Sequence, residues 1–513
     1  MKKIAFILSF ALIFSSLSAC KKIEQSEVKV TSSSQTLQAE NPVQTSQTTA
    51  AAASETTQSS AETSATAASI AETTTAAAQT KASTAAVKAS TAKTTAASTT
   101  AQQTTTSATT TTAPVTTAAT TVATTAATTA ATTAAVTAVS QYYSQSSYTA
   151  LNYDKQNAMW ISYLEFQNML KGKTQAQFTA SVRTMYDNCV ALGINTVYVH
   201  ARAHGDAYYV SDLFPWSANC TGTIAAEPSF DPFKILVDEA HARGLSIHAW
   251  INPMRGVKDT EIQQIPNRYL IKQWYNDSNK RGTYIVLVNG VWYFSPAYKE
   301  VRDLIIAGAK EIVSKYNVDG VHIDDYFYPT TQSSFDAAVF AQSGSSNLSQ
   351  WRLDTISAMV RELYSGIKSV NSTVLFGVSP QGNVNNNYSS QYADVRKWCS
   401  QNGYLDYIVP QIYYGFKNTS QPYATNLQSW CDMVTAPGVK LVAGLAAYKI
   451  GTSESTGEWM NDKRILARQV ETFKAQPKYG GVAFFRYESI FAPASGVAAQ
   501  MEQEKAELAA VLK

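Results

Sequence analysis

Apolar residues recur along residues 151–513 in eight short runs that alternate with longer amphipathic segments. Short apolar runs of this kind predict buried strands, and apolar positions three to four residues apart predict helices. The predicted strands span 158–165, 195–202, 245–252, 319–325, 373–379, 407–413, 440–447 and 480–487. The predicted helices span 174–191, 231–243, 296–316, 351–369, 421–434 and 462–475. Eight alternations of strand and helix predict a (β/α)8, or TIM, barrel of the α/β class.

The alternative fold is an open, doubly wound parallel sheet, which shows the same alternation. That fold commonly carries a glycine-rich phosphate loop after its first strand, and the sequence has none there. Local chemistry supports the helix over 231–243, because Asp231 is a candidate N-cap and Pro232 suits the first helical position. Gly244 suits the end of the same helix.

The predicted strand over 319–325 carries the densest group of polar residues. Because side chains alternate along a strand, His322 and Asp324 share one face, and Val321 and Ile323 share the packed face. A carboxylate at the end of a buried strand is costly unless it is paired or functional. Asp324 is therefore the first candidate for a catalytic residue.

Polar residues also follow the other predicted strands. In TIM barrels the active site lies at the C-terminal ends of the strands, so these residues are expected to face one another. They are Glu165, His200, Arg202, His248, Trp250, Asn252, His322, Asp324, Asp325, Ser379, Gln381, Gln411, Tyr413, Arg486 and Glu488. On four strands the polar members lie two positions apart, as one inward face requires. A single buried histidine or tryptophan is commonly a packed core residue, but the gathering at one end indicates a site.

Residues 1–20 have the pattern of a bacterial lipoprotein signal. Lys2 and Lys3 precede an apolar run that is short for a membrane span, and small residues precede Cys20. The resemblance implies cleavage before Cys20 and lipid attachment to its thiol. The protein is then exported and anchored to the membrane at the cell surface, facing the cell wall. The alternative is an ordinary secretory signal in which Cys20 has no role.

Residues 21–150 consist largely of Thr, Ala, Ser and Gln, and residues 21–140 contain no Gly, Phe or Trp. Such a composition buries too little apolar surface to offset the entropy of ordering, so we predict a disordered linker. A flexible chain of this length has an r.m.s. span of roughly 60 Å. The predicted organisation is a signal peptide over 1–20, a linker over 21–150 and a barrel over 151–513.

Charge and cysteine content exclude some classes of protein. The net charge is only +3 and the sequence has no basic stripe, so we expect no nucleic-acid partner.

Cys189, Cys220, Cys399 and Cys431 match no metal-binding or disulfide spacing, so we expect free, buried thiols, with disulfides as the alternative. The five histidines also lack zinc-ligand spacing, whereas a calcium site stays open. We expect a monomer without a cofactor.

Seven ordered motifs lie within residues 158–490. They are Val-His-Ala-Arg-Ala-His-Gly-Asp with Phe-Pro-Trp-Ser (199–217), Phe-Asp-Pro (230–232), Glu-Ala-His-Ala-Arg-Gly (239–244), His-Ala-Trp-Ile-Asn-Pro-Met-Arg (248–255), Gly-Val-His-Ile-Asp-Asp-Tyr-Phe-Tyr-Pro (320–329), Val-Ser-Pro (378–380) and Pro-Gln-Ile-Tyr-Tyr (410–414). Together they resemble the glycosyl-hydrolase-like family 10 proteins. The resemblance implies a (β/α)8 barrel and a glycosidase-type activity on bacterial polysaccharide, in some members on peptide-stripped peptidoglycan.

The run Asp-Gly-Val-His-Ile-Asp at 319–324 is also similar to patterns of two other glycosidase groups. In the amylase clan the last Asp is the nucleophile, which maps onto Asp324. In the family 18 chitinases the catalytic Glu falls on Tyr326, so that acid does not carry over. Both comparisons place Asp324 in the barrel mouth.

Glycoside hydrolysis needs two carboxyl groups, about 5–5.5 Å apart for retention and about 6.5–9.5 Å apart for inversion. We predict that Asp324 is the ionised one, nucleophile or base, with His322 and Arg202 close enough to keep it charged. The acid stays open between Asp325, which is preferred, and its rivals Glu488 and Glu165.

The remaining site residues are predicted to bind sugar. Aromatic rings can stack on pyranose faces, while amide, imidazole and guanidinium groups can bind hydroxyls. The predicted substrate-binding residues are His200, Arg202, Trp250, Asn252, His322, Tyr326, Gln411 and Tyr413, with Trp216 as a further aromatic candidate.

The sequence therefore predicts a lipid-anchored glycoside hydrolase acting on a cell-wall or surface polysaccharide, with peptidoglycan glycan strands among the candidates. The alternative is a non-catalytic glycan-binding surface lipoprotein that uses the same groove. A second carboxylate within reach of Asp324 distinguishes the two. A structural surface anchor is a third hypothesis, but it would not require so many polar groups at one end of the barrel.

Overall fold

The computed structural model describes residues 146–324, 327–454 and 456–513. Its strands are β1 (Gln156–Ile161), β2 (Thr196–Arg202), β3 (Ser246–Ile251), β4 (Arg255–Lys258), β5 (Ile285–Val288), β6 (Val291–Phe294), β7 (Gly320–Ile323), β8 (Leu375–Val378), β9 (Tyr407–Ile408), β10 (Lys440–Ala446) and β11 (Tyr479–Phe485). Eight of them pair in the order β1-β11-β10-β9-β8-β7-β3-β2 and close into a parallel barrel. The predicted TIM barrel is confirmed.

Helices connect the barrel strands. They are α1 (Tyr163–Leu170), α2 (Gln175–Leu192), α3 (Ala218–Thr221), α4 (Pro232–His241), α5 (Asp259–Ile262), α6 (Leu270–Asn276), α7 (Lys299–Lys315), α8 (Ala337–Gln342), α9 (Leu348–Val370), α10 (Val384–Ser389), α11 (Val395–Ser400), α12 (Tyr423–Met433), α13 (Glu458–Asn461), α14 (Ile465–Lys474), α15 (Tyr487–Phe491) and α16 (Ala498–Leu512). The six predicted helices correspond to α2, α4, α7, α9, α12 and α14. Asp231 caps α4 as predicted, by accepting from the backbone amides of Phe233 and Lys234.

The first predicted strand is too long at its C-terminal end. Strand β1 ends at Ile161, and α1 begins two residues later. The Ser162 side chain accepts from the backbone of this first turn while the Glu165 side chain accepts from the Ser162 amide, which forms a capping box. Ser-x-x-Glu is a helix-start motif, so Glu165 belongs to a helix rather than to a strand end.

Apolar residues pack on both sides of the barrel wall. Val321 and Ile323 pack outward into the large core between strands and helices, as predicted. The barrel interior holds a smaller cluster of four aromatic and four aliphatic residues, namely Trp160, Tyr198, Trp250, Tyr407, Ala158, Val409, Val442 and Ala483. Rings from neighbouring strands therefore fill the barrel, as TIM-barrel packing requires.

Glycines in two strands make room for these rings. A Cβ at Gly320 would lie 2.4 Å from His248 Nδ1, and a Cβ at Gly377 would lie 1.9 Å from Cζ of Tyr407. Both distances are far below van der Waals contact, so any side chain there would displace an interior ring. The glycine of the Asp-Gly-Val-His motif thus has a packing role inside the barrel.

A small antiparallel sheet follows β3 and lies outside the sequence prediction. Its strand order is β4-β6-β5. The backbone of Gly256 in β4 approaches β6 so closely that a Cβ would lie 2.1 Å from the carbonyl oxygen of Trp292. The sheet places Arg255 where its positive charge acts on His200 and His204.

The N-terminal end of the barrel is closed by the segment 146–151. Asp319, which precedes β7, is fully buried and accepts hydrogen bonds from the Tyr148 hydroxyl at 2.6 Å and the Leu151 amide at 2.6 Å. It also accepts from the Ile247 amide at 2.8 Å and lies 3.0 Å from His241 Nε2. One carboxylate thus joins this segment to β3 and β7.

Other sequence predictions concern the cysteines and the N-terminal residues. Cys189, Cys220, Cys399 and Cys431 are all free and buried, as expected. The predicted signal peptide, Cys20 and nearly all of the predicted linker lie outside the described residues. Within the described ranges, no helix is both long and apolar enough to cross a bilayer.

Candidate active site

Asp324 lies directly after β7 at the C-terminal face of the barrel and is 5% exposed. Gln411 Nε2 donates a hydrogen bond to Asp324 Oδ1 at 2.6 Å. The same nitrogen lies 3.3 Å from the hydroxyl oxygen of Ser379, whose backbone amide donates to the carbonyl of Ile323 at 2.7 Å. The ends of three neighbouring strands therefore orient one buried carboxylate.

Gln411 reaches this position although regular pairing in β9 ends at Ile408. A single bridge pairs Gln411 with Gln381, and another pairs it with Gly444. The predicted strand over 407–413 is thus shorter than expected, but its polar end lies at the barrel mouth as predicted.

His322 lies inside the barrel beneath the mouth. Trp160 Nε1 can only donate, so His322 Nε2, at 3.1 Å, accepts. His322 Nδ1 then donates to the Tyr407 oxygen at 3.2 Å, and the same oxygen forms a hydrogen bond with His248 Nδ1 at 2.6 Å. The Tyr198 ring stacks on His322 with centroids 4.2 Å apart.

Burial keeps both of these histidines neutral. It lowers the pKa of His322 well below its ordinary value and the pKa of His248 to about 4. His322 therefore brings no positive charge to Asp324 at neutral pH, contrary to the sequence prediction. It acts as a neutral hydrogen-bonding group that fixes the interior rings.

His200, Trp250 and Asn252 form a second polar group at the mouth. The Tyr163 amide donates to His200 Nδ1 at 3.1 Å, and the His200 ring stacks on Trp250 with centroids 3.4 Å apart. Asn252 Nδ2 donates to the Ala203 carbonyl at 3.1 Å. Among the described residues, Asn252 Oδ1 and Trp250 Nε1 find no hydrogen-bond partner. Their roles in binding substrate stay predictions.

Arg202 does not share the inward face with His200. The pairing of β2 with β3 shifts between them, so that His200 pairs with Trp250 while Arg202 pairs with the outward-facing Ile251. The guanidinium donates to the carbonyls of His204 and Pro253 at 3.2 and 3.1 Å. This bulge turns Arg202 out of the barrel, where it braces the loops after β2 and β3.

Glu165 and Glu488 meet at Arg486. The Arg486 guanidinium donates to Glu165 Oε1 at 2.7 Å and also pairs with Glu488 Oε2. Glu165 Oε2 accepts from the Ser162 amide at 2.9 Å and from the Ser162 hydroxyl at 2.5 Å. Glu165 is therefore a buried brace, whereas the Glu488 side chain is 48% exposed.

Of the other predicted residues, two lie outside the described part of the chain and two have a described position. Asp325 and Tyr326 lie outside the described residues, so their roles stay predictions. Tyr413 is half-buried at the rim, and Trp216 is almost fully buried in the outer core.

Three residues at this face were missed by sequence reasoning. Phe485 ends β11 and Tyr448 follows β10, so reading each strand end strictly would have found both. Asp206, in the loop after β2, is a buried carboxyl whose pKa is raised to about 6 by its burial. It accepts from the His204 amide at 3.2 Å and so braces its own loop.

The described site can orient an ionised carboxylate among neutral imidazoles, amides and aromatic rings. That arrangement suits attack on, or deprotonation next to, a polar substrate such as a sugar. No three His, Cys, Asp or Glu side chains within the described ranges lie close enough together to hold a metal ion.

Comparison with known proteins shows the family of this chain. The model of the family Glycosyl hydrolase-like 10 matches residues 155–461. Glycosyl hydrolase DigH of Escherichia coli (strain K12) is 33% identical over 331 residues, which cover 60% of this chain and 75% of that protein. Glycosyl hydrolase YngK of Bacillus subtilis (strain 168) is 33% identical over 291 residues, 52% of this chain and 56% of that protein.

Among solved structures, α-L-fucosidase isoenzyme 2 from Paenibacillus thiaminolyticus has a TM-score of 0.44 and 13% identity. The alignment covers 69% of this chain and 49% of the fucosidase, and it is too distant to bear on function. The family match, in contrast, covers more than half of the chain and includes Asp324, Ser379 and Gln411. It supports a glycosidase-type function, and the chain belongs to the Glycosyl hydrolase-like 10 family.

Proposed function

We propose that this protein is a glycoside hydrolase that cleaves a bacterial cell-wall or surface polysaccharide. The observation that carries the proposal is Asp324, a nearly buried carboxylate held by Gln411 at the C-terminal face of the barrel. Keeping a carboxylate there is costly for stability, which is typical of a catalytic group. Peptidoglycan glycan strands are the first substrate to test, because the predicted tether would hold the barrel beside the cell wall.

In the proposed mechanism Asp324 is the ionised carboxylate. It attacks the anomeric carbon if the reaction retains configuration, or it activates a water if the reaction inverts configuration. The hydrogen bond from Gln411 stabilises the charged form of Asp324 and fixes its rotamer. His200, Trp250 and Asn252 are proposed to bind sugar hydroxyls at the same mouth.

The proton donor is proposed to be Asp325, with Glu488 as the rival. Glu488 is half exposed, and its carboxylate is already paired with Arg486. Glu165 is a poorer candidate, because both of its oxygens accept hydrogen bonds from Ser162 and Arg486. These contacts suit a residue that braces α1 against the segment after β11.

We also propose that lipid on Cys20 anchors the protein to the membrane surface. Support comes from Lys2 and Lys3, the apolar run after them and the small residues before Cys20. Radiolabelled fatty acid should be incorporated into the wild-type protein and not into Cys20→Ala.

The central test compares wild type with Asp324→Asn on intact and peptide-stripped peptidoglycan, chitin and α-glucans. Mass spectrometry of released fragments is the readout. We expect fragments from one glycan with wild type and a loss of at least about a thousandfold in rate with Asp324→Asn, as for removal of an essential catalytic group. Asp238→Asn on the outer surface of α4 is the matched control and should behave as wild type.

The outcomes separate the hypotheses. Turnover by Asp324→Asn at the wild-type rate would remove Asp324 from the mechanism. If neither protein releases fragments while both bind one glycan, the protein is a glycan-binding surface protein and the hydrolase proposal is wrong.

A further inference from the structure

Three aromatic rings meet at the rim of the barrel. Phe485 ends β11, Tyr448 lies two residues after β10, and Tyr413 lies in the loop after β9. Their centroids are 5.8 Å apart for Tyr413 and Tyr448, 6.0 Å for Tyr448 and Phe485, and 6.1 Å for Tyr413 and Phe485. Because β9, β10 and β11 are neighbours in the barrel, the rings form one surface, which we call the aromatic shelf.

The aromatic shelf is open to solvent. Tyr448 is 38% exposed, and Tyr413 and Phe485 are half-buried. The Tyr448 ring is nearly perpendicular to both neighbours, at 81° and 85°, so neither neighbour lies parallel over it. Exposed aromatic surface gains free energy when a ligand covers it.

The aromatic shelf is continuous with the candidate catalytic centre. Tyr413 lies two residues after Gln411, which donates to Asp324. On its inner side Phe485 contacts the ring of Trp160 at 6.0 Å and the ring of Trp250 at 6.5 Å. The aromatic shelf therefore extends the interior aromatic cluster outward to the rim. A glycan chain that enters the barrel mouth would pass over this rim.

We propose that the aromatic shelf is a subsite that stacks on one pyranose ring of a glycan whose neighbouring sugar faces Asp324. A pyranose presents an apolar C–H face with hydroxyls around its edge, which matches aromatic faces with phenolic tips. Three rings offer far less area than a protein partner needs. This inference rests on the proposed function, because it describes substrate binding at the same mouth.

The test compares Tyr448→Ala and Tyr448→Phe with wild type in the complete protein. Binding of peptide-stripped peptidoglycan and chitin oligosaccharides of increasing length is measured by calorimetry in the Asp324→Asn background, and kcat and KM are measured in the active background. Tyr448→Ala should weaken the binding of long oligosaccharides about tenfold and raise their KM, with a much smaller effect on the shortest ones. Tyr448→Phe, which keeps the ring, should retain most of the affinity.

Val190→Ala is the control, because Val190 is an exposed apolar residue on the outer helix α2. Equal binding of all lengths by wild type and Tyr448→Ala would overturn the subsite and leave the hydrolase proposal intact. An equal loss with Tyr448→Phe would also overturn it, since stacking would not be the cause. Tyr448-dependent binding without turnover by wild type would support the subsite while the hydrolase proposal fails.

Discussion

Gln411 is the residue through which the barrel orients Asp324. Its Nε2 donates to Asp324 Oδ1 at 2.6 Å. A hydrogen bond to a charged group contributes about 1.5–3 kcal/mol. We predict that Gln411→Ala lowers kcat/KM by roughly ten- to a hundredfold. The acid limb of the pH–rate profile should also move to higher pH, because the donor no longer stabilises the ionised carboxylate.

The exposed Gln428 on α12 provides a matched control, and Gln428→Ala should retain the wild-type pH–rate profile. A loss of rate in Gln411→Ala without any change in the pH profile would contradict the role of Gln411 in stabilising the ionised form of Asp324.

The sequence predicted well which residues lie at the strand ends, and less well which side of the barrel wall each side chain faces. Asp324 and Gln411 lie at the barrel mouth as the alternation of side chains predicts. Arg202 departs from it, because one bulge between His200 and Arg202 turns the guanidinium outward. A bulge depends on the partner strand, so the sequence of β2 alone does not reveal it.

At the scale of elements, the N-cap residue of α14 does not cap the helix with its side chain. Arg464 at its N-cap position makes no side-chain capping bond. Glu504 of α16 supplies the acceptor instead, with its Oε1 2.9 Å from the Ala467 amide. Burial raises the pKa of Glu504 from its ordinary 4.5 to about 7, although backbone amides act in the opposite direction.

This cap predicts a pH-dependent stability. Since the folded-state pKa is the higher one, Glu504 contributes stability fully below about pH 4.5 and loses it as pH rises to about 7. The loss is about 3 kcal/mol at 1.36 kcal/mol per pKa unit. Glu504→Gln keeps the acceptor without the charge, so it should be the more stable protein above pH 7 in urea unfolding measured from pH 4.5 to 8.

Glu502→Gln is the control for this experiment, because the Glu502 side chain is 65% exposed on the same helix. The difference in unfolding free energy between wild type and Glu504→Gln should change across this pH range. A constant difference would show that Glu504 keeps an ordinary pKa.

Elements that belong to the strand–helix alternation of the barrel agree with the prediction, and elements inserted into it do not. The strands of the barrel and the six predicted helices occur at nearly the predicted positions. The small sheet of β4, β5 and β6 was missed, because its strands pair only with one another, apart from the barrel and its alternation of strands and helices. The start of α1 was missed because the capping motif of Ser162 and Glu165 follows the strand at once.

At the scale of the whole molecule, the segment that joins the barrel to the preceding chain lies at the end opposite Asp324. Ser146 donates its amide to the Val370 carbonyl, and Tyr148 and Leu151 both bond to Asp319 beneath β7. The described chain therefore begins on the far side of the barrel from Asp324.

Deleting residues 30–140 should therefore leave kcat/KM on soluble glycan unchanged while lowering fragment release from intact cells. A Gly/Ser segment of equal length should restore release, because only reach is required. Lost activity on soluble glycan would show that residues 30–140 contribute to the site itself.

The sequence alone determined the barrel and placed Asp324 and Gln411 at its C-terminal face. Those features follow from periodicity and from the order of motifs, which are local properties of the chain. The tertiary structure alone decided that His322 is neutral, that Arg202 points outward and that Tyr413, Tyr448 and Phe485 share one surface. Desolvation, bulges and ring contacts arise between strands far apart in sequence, so they exist only once the barrel has closed.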